Sequence, residues 1–244
     1  MKFLYGIIIA FSMYSKIPMP KIEWSKERME YVMCFFPLVG VVLAVLTWAS
    51  GILWFSLRPG DLLRAVVGAC LPILVTGGIH LDGFLDVVDA RASWQTPERR
   101  REILKDPHMG AFAAIWLGCY FIAQLALAVT AAQMQADLTA LAFGYCISRS
   151  LSGLAVASFP LAKNSGLAYT FAEYADKKKV RTFLAVLAAV LCVLCCICCG
   201  KKGIGVSIAA IGTFLYYRFR LIGKFGGLSG DLAGWFVQMC ELFM

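Results

Sequence analysis

Apolar residues run through this chain in long blocks, and most polar residues lie in the segments between them. The apolar blocks cover residues 3–14, 32–57, 62–81, 110–134, 138–160, 182–200, 203–217 and 232–244. A helix needs about 20 apolar residues to cross the hydrocarbon core of a bilayer, and several blocks reach that length. Proline and glycine interrupt some blocks, which is tolerated where neighbouring helices satisfy the backbone. The pattern predicts an all-α fold, a polytopic transmembrane helix bundle of about six to eight segments, some short or broken.

The composition agrees with a chain whose main solvent is lipid. Of its 244 residues, 60% are hydrophobic and 16% are charged, and the mean hydropathy is +0.75. Soluble domains carry about half apolar and a quarter charged residues. The blocks leave no room for a separate soluble domain. We therefore expect a single integral membrane domain over residues 1–244, with an acidic loop or helix at 76–110 as its chemical centre.

The net charge of +8 is explained by orientation in a membrane, without a nucleic-acid partner. Four segments, 15–31, 82–109, 161–181 and 218–231, hold 17 of the 23 Lys and Arg residues. The intervening connections hold little positive charge apart from Arg58 and the Lys201–Lys202 pair. The positive-inside rule then puts the four charged segments on the cytoplasmic face of a multi-pass protein in the cytoplasmic (inner) cell membrane.

One acidic stretch stands out at the end of the third block. Asp82, Asp86 and Asp89 have i, i+4, i+7 spacing, which puts them within an arc of about 60° on a helix. Three carboxylates on one face at a membrane boundary repel each other at low dielectric unless a cation lies among them. Oxygen ligands favour a hard ion, Mg²⁺ before Mn²⁺. The alternative is an exposed amphipathic helix.

Polar residues on either side of this stretch are further candidates. His80 follows a glycine pair and could bind metal or phosphate or relay a proton, although a lone histidine is more often structural. Downstream, Thr96 and Pro97 begin a charged helix in which Glu102 and Asp106 offer oxygens and Lys105 offers a cation for phosphate. A solvated helix with internal salt bridges explains the same residues equally well.

Two further features lie in the second half of the chain. Arg149 falls near the middle of an apolar block, where an ionisable side chain normally faces a polar cavity or a partner. It suits a phosphate, or alternatively a structural pair with an acid such as Asp82 or Asp231. Near the C-terminus, the glycine-rich stretch 226–231 precedes an apolar segment that contains Glu241, and its backbone N–H groups suit an anion.

The order of these pieces resembles the cobalamin synthase family, also called adenosylcobinamide-GDP ribazoletransferases. The blocks that carry the resemblance are Thr76–Gly83 with Asp86 and Asp89, Arg100–Asp106 followed by Met109–Phe112, Lys16–Pro20, Phe36–Gly40, Ser148–Arg149 and Gly226–Asp231. The chain departs from the family pattern at Ala90, where glycine is common, and at Ser229, where threonine is common. Neither departure removes a charged candidate.

The resemblance implies a function and a set of site residues. Alpha-ribazole, or its 5′-phosphate, attacks the GDP-activated cobinamide, GMP leaves, and Mg²⁺ is required. The implied metal ligands are Asp82, Asp86, Asp89, Asp231 and Glu241. The implied substrate contacts are Arg149, Lys105, Glu102, Gly227 and Gly230, and the implied catalytic residues are Asp106, His80, Lys105 and Arg149. The implied partners are the two substrates and the lipid bilayer. The resemblance leaves open whether the protein forms a homo-oligomer.

Other functions fit the pattern less well. The stretch Asp86–Arg91 echoes the CDP-alcohol phosphotransferases, but Ala90 replaces a glycine of their pattern and the downstream pair of aspartates is missing. Membrane prenyltransferases use two Asp-rich loops, whereas this chain has one. A transporter would be expected to contain repeated halves, and the sequence has no visible repeat.

Overall fold

The computed structural model describes residues 2–57, 59–162 and 166–244, and the described residues are almost entirely helical. Arg58, and Lys163 within the charged segment 161–181, lie outside the described residues. The helices are α1 (Lys2–Tyr14), α2 (Lys26–Met29), α3 (Val32–Leu57), α4 (Asp61–Thr76), α5 (Ile79–Ala92), α6 (Pro97–Ile103), α7 (Ala111–Gln133), α8 (Thr139–Ser158), α9 (Leu167–Tyr174), α10 (Lys177–Cys199), α11 (Lys201–Tyr216) and α12 (Gly230–Phe243). A π-helical turn (Tyr217–Leu221) and a 3₁₀ turn (Ile222–Phe225) continue α11.

Four of the described helices are long and apolar enough to cross a membrane: α3 over Val32–Trp54, α7, α8 and α10. A fifth span results if α4 and α5, which meet at an angle of 93°, are taken as one broken span. The remaining apolar segments of the sequence form the shorter helices α1, α11 and α12. The all-α polytopic bundle is thus confirmed, with four or five long spans and several short ones.

The bend between α4 and α5 is made by two consecutive glycines. Gly77 and Gly78 have φ angles of 67° and 78°, in the left-handed region that residues with a Cβ adopt only with strain. The side chain of Lys16 lies where a Cβ on Gly77 would be, and the Lys16 N–H donates to the Val75 carbonyl at 2.8 Å. The turn ends α4 and sends α5 off at nearly a right angle to it.

Helix α8 forms the centre of the bundle. It packs against α3, α10, α11 and α12, and most of its side chains are buried. Small residues make this packing close: Gly40 of α3 faces the Tyr145 carbonyl, and Gly153 faces Leu184 of α10. Small residues at such contacts let helix backbones approach in a membrane.

The charged segments between the helices contact one another. Leu161 and Leu228 form an isolated parallel bridge, the Arg100 guanidinium donates to the Lys224 carbonyl at 3.1 Å, and the Asp176 N–H donates to the Glu30 carbonyl. These contacts gather the loops that carry most of the positive charge at one end of the bundle, hereafter the loop end. The acidic helix α5 joins the same end through α6.

Candidate active site

Helix α5 presents its carboxylates on the side opposite to the core. Phe84 and Val87 are buried, and the Phe84 ring lies 5.4 Å from that of Tyr120 in α7. On the other side, Asp82 is exposed and Asp86 is half-buried. The apolar residues between the acids therefore fix the helix in the bundle, and the stripe of acids stays accessible.

A fourth carboxylate comes from α12. Ser229 caps this helix by accepting from the Leu232 N–H at 3.3 Å, and its hydroxyl donates to Asp231 at 3.3 Å. Asp231 is in the first turn of α12, beside Gly83 of α5. Asp86 lies within electrostatic range of the carboxylates of Asp82, Asp89 and Asp231. Asp86 and the three carboxylates within its electrostatic range are four of the five predicted metal ligands and are hereafter called the aspartate cluster.

Glycines make this approach possible. A Cβ on Gly83 would lie 2.8 Å from the Asp231 carbonyl oxygen and 2.9 Å from its Cα. On the facing helix, a Cβ on Gly234 would lie 3.2 Å from the His80 carbonyl oxygen. Gly110, at the start of α7, leaves room for the Asp89 carboxylate in the same way. Sequence reasoning missed all three, although glycines inside helical segments are a signal of close packing.

Replacing Gly83 by Ala is expected to lower the stability of the protein, because the added methyl group meets backbone atoms that cannot rotate away. The cost of such overpacking is about 1–3 kcal/mol. The matched control is Gly68→Ala in α4, where nothing lies within 4 Å of the added atom. Thermal unfolding in detergent should give a lower midpoint for the Gly83 variant only. Equal midpoints for the two variants would contradict the close contact of α5 with α12.

Glu241, the fifth predicted ligand, does not join the cluster. Its carboxylate forms an ion pair with the fully buried guanidinium of Arg149 and accepts from the Ser148 hydroxyl at 2.8 Å. It lies ten residues after Asp231 on α12, about 15 Å along the helix axis. Arg149 therefore forms an ion pair within the protein, as the alternative interpretation of the sequence proposed. Its partner is Glu241, however, and not Asp82 or Asp231.

Arg149 has no exposed surface in this structure. Its Nη1 also donates to the Tyr145 carbonyl at 3.0 Å, while Nε and Nη2 have no hydrogen-bond partner among the described residues. The guanidinium carbon lies 5.9 Å from the centre of the Phe36 ring. The contacts of this side chain are therefore with the bundle interior, between α8, α12 and α3.

His80 is also buried, at 6% exposure. Its ring stacks on Tyr14 at 6.1 Å and lies 5.7 Å from the Phe36 ring, and its Nε2 has no partner among the described residues. On a helix, a position two residues from Asp82 lies about 200° away from it. The imidazole accordingly faces the core and not the aspartate cluster.

The charged residues of α6 and of the loop after it lie at the loop end, on the surface. Glu102 pairs with Arg99 at 2.6 Å, Asp106 pairs with the His108 ring at 2.8 Å, and Lys105 is exposed. The backbone N–H and the ring of His108 both hydrogen-bond Asp106 and lower the pKa of its carboxyl. A carboxylate held in its ionised form in this way is a weaker proton acceptor.

Two arginines of α6 have a role that the sequence did not reveal. Arg100 and Arg101 donate to the carbonyls of Lys224 and Phe225, at 3.1 and 3.2 Å. Arg101 also pairs with Glu98 at 3.1 Å, so that its guanidinium has partners within the protein at two positions. These bonds tie α6 to the 3₁₀ turn that leads into the glycine-rich stretch.

The two glycines predicted to contact substrate differ in their surroundings. Gly227 is buried, its N–H donates to the Ile222 carbonyl at 3.2 Å, and a Cβ there would meet the backbone of Leu161 and Ala162. Gly230 is exposed at the first position of α12, with open space around it. Only Gly230 offers its N–H at a helix N-terminus beside the cluster.

Comparisons with known proteins agree with the resemblance seen in the sequence. A relative from Lachnoclostridium phytofermentans, named adenosylcobinamide-GDP ribazoletransferase, is 40% identical over 242 residues, which cover 99% of this chain and 92% of the relative. Relatives of the same name from Desulfitobacterium hafniense and Clostridium perfringens are 30% and 29% identical, over 96% and 99% of this chain and 92% and 96% of their own length. No solved structure matches the chain. The sequence model of cobalamin-5-phosphate synthase matches residues 6–244, and the chain therefore belongs to the cobalamin-5-phosphate synthase family.

Proposed function

We propose that this protein is an adenosylcobinamide-GDP ribazoletransferase that works at a membrane surface. The observation that carries the proposal is the 40% identity with a relative of that name along nearly the whole chain. The four clustered carboxylates at the loop end supply chemistry of the kind that a diphosphate substrate requires. The enzyme transfers a phosphorus-containing group.

In the proposed reaction, a ribose hydroxyl of alpha-ribazole, or of its 5′-phosphate, attacks the phosphorus that is bonded to cobinamide. A new oxygen–phosphorus bond forms, the bond from that phosphorus to the bridging oxygen breaks, and GMP leaves with this oxygen. The hydroxyl proton passes to a base or to water. Negative charge develops on the departing GMP, and fixed positive groups near it lower the barrier.

The aspartate cluster fits Mg²⁺ by the chemistry of its donors. All four side chains offer carboxylate oxygens, which this hard cation prefers. Among the described residues, no group of three or more His, Cys, Asp or Glu side chains is arranged to hold a metal ion by itself. Mg²⁺ at a phosphate substrate does not need a complete set of protein ligands, because one or two carboxylates combine with water and phosphate oxygens. When bound, Mg²⁺ would neutralise charge on the diphosphate. Asp82, Asp86, Asp89 and Asp231 are the residues that would hold it.

Other residues would bind and orient the substrates. Lys105 is exposed at the loop end, and Gly230 presents a helix N-terminus there, so both suit phosphate oxygens. Arg149 and Glu241 would act from a distance by anchoring α12, whose first turn contains Asp231. Glu102 and Asp106 are held by Arg99 and His108 and would order the loop after α6.

We infer that the loop end faces the cytoplasm, in the inner cell membrane. The excess of Lys and Arg in its loops supports this orientation. Substrates that carry GDP or a phosphate would then reach the aspartate cluster without crossing the bilayer.

The proposal predicts that the purified protein releases GMP from adenosylcobinamide-GDP when alpha-ribazole or its 5′-phosphate is added with Mg²⁺. Chelation of the metal should abolish release, and Mg²⁺ should restore it, because the carboxylates repel each other and the diphosphate without a cation. Chromatography of the nucleotide product measures the result. CMP release from a CDP-lipid would instead support a CDP-alcohol phosphotransferase. Substrate flux in proteoliposomes without any product would support a transporter.

A further inference from the structure

A cavity of ≈ 500 Å³ lies at the loop end, outside the aspartate cluster. The end of α8 and the segment after it form one wall, and α9 with the first residue of α10 forms the other. Its size is within the range of pockets that hold small molecules, roughly 300–1,000 Å³. The residues that matter for its chemistry are Ser158, Phe159, Tyr169, Glu173 and Lys177.

The cavity wall is bonded directly to the glycine-rich stretch. The Leu228 N–H donates to the Pro160 carbonyl at 2.7 Å, and the Ala162 N–H donates to the Leu228 carbonyl at 2.9 Å. Asp231 follows Leu228 by three residues, which span about 10 Å when fully extended. The backbone that leads to Asp231 is thus bonded to the cavity wall, and the close packing of Gly227 on Leu161 fixes this connection.

The side chains of the cavity offer three kinds of contact. Tyr169 offers an aromatic face, Glu173 and Ser158 offer hydrogen bonds to hydroxyl groups, and Lys177 offers a positive charge. The Phe159 ring already lies against Phe214, Tyr217 and the Arg218 guanidinium. The side chains of Tyr169, Glu173 and Lys177 make no hydrogen bond or ion pair within the part of the chain that the structure describes. By contrast, the nearby Lys179 already pairs with Asp176 at 2.9 Å.

A planar heteroaromatic base, a ribose and a 5′-phosphate match these three contacts in kind. Base stacking on aromatic side chains is favourable for any base, and the ribose hydroxyls can donate to a carboxylate.

We propose that this cavity binds the nucleoside substrate and that Lys177 recognises its 5′-phosphate. The inference rests on the proposed function and adds to it the place of the second substrate. The base stacks on Tyr169, and Glu173 holds the ribose. Lys177 then makes the enzyme prefer the phosphorylated form over the free nucleoside.

The test compares Lys177→Gln with the unchanged protein on two substrates, alpha-ribazole and its 5′-phosphate, with GMP release as the readout. The KM for the 5′-phosphate should rise about tenfold, the size of one charge-assisted hydrogen bond. The KM for the free nucleoside and the KM for adenosylcobinamide-GDP should stay unchanged. Lys178→Gln, one residue along and not part of the cavity, is the matched control and should leave all three unchanged.

A second pair of variants tests the stacking contact. Tyr169→Ala should raise the KM for both nucleosides about tenfold, whereas Tyr169→Phe, which keeps the ring, should not. Equilibrium dialysis of the nucleoside with the protein in detergent measures binding without turnover. If the unchanged protein binds the nucleoside, the Tyr169→Ala protein does not, and neither makes GMP, the proposed function fails and the cavity assignment stands. If turnover is normal and the Lys177 and Tyr169→Ala variants keep their KM values, the cavity assignment fails alone.

Discussion

Replacing Asp86 by Asn is expected to reduce GMP release by at least about a hundredfold while making the metal-free protein slightly more stable. Asp86 is the central member of the aspartate cluster and interacts with all three of its other carboxylates. The amide keeps the shape of the side chain but removes one of four like charges. Like-charged pairs one helical turn apart cost about 0.2–0.5 kcal/mol each, so their loss stabilises the protein by a similar amount.

The opposite signs of the two effects make this prediction specific to a cation site. A residue that only maintains the fold would lose stability and activity together. The thermal unfolding midpoint without Mg²⁺ and the rate of GMP release with Mg²⁺ are the two measurements. Glu23→Gln, an exposed acid at the loop end, is the control and should leave both unchanged. An Asp86→Asn protein with near-normal turnover would disprove the assignment of the metal to this cluster.

The sequence predicted the parts of the site that depend on local geometry. The i, i+4, i+7 spacing of the three aspartates is a property of any helix, and the structure contains that helix as α5. The glycine pair before His80 indicated a break, and the chain turns by 93° there. The glycine-rich stretch before Asp231 indicated the start of a helix, which is α12.

Features that depend on contacts between distant residues could not be read from the sequence. Arg149 and Glu241 are 92 positions apart, and nothing in the local pattern of either residue indicates the other. The same holds for Arg100, whose partner at Lys224 is 124 positions away. The apolar blocks predicted helical segments but not their tilt. The positions of short helices such as α1 and α11 depend on their packing against the rest of the bundle, which the apolar pattern does not contain.

The contrast explains why the acids of the aspartate cluster could be found from the sequence, whereas the ion pair that anchors α12 could not. Asp231 has a local signal, since it follows a glycine-rich turn at a helix start. Glu241 looked like a fifth ligand because it is an acid on the same helix. In the structure, the Glu241 carboxylate lies away from the cluster and beside the buried guanidinium of Arg149, whose charge stabilises it.

Removing either member of the Arg149–Glu241 pair is expected to destabilise the protein by about 3–5 kcal/mol, because the other charge is left buried and unpaired. Arg149→Met and Glu241→Leu each create such a charge. The double variant replaces both charges by apolar groups and should regain most of the lost stability. Thermal unfolding of the four proteins in detergent gives the coupling between the two positions. Glu30→Gln, which breaks the exposed ion pair with Lys2, is the control and should cost less than 1 kcal/mol.

Turnover by the same four proteins separates an anchoring role of Arg149 from direct contact with phosphate. If the pair only holds α12 against α8, the double variant keeps Asp231 beside α5 and regains GMP release together with stability. A double variant that is stable but inactive would contradict the anchoring role, since only a guanidinium that reaches substrate would then be missing. We expect recovery, because Arg149 has no exposed surface and its charge is already matched by Glu241.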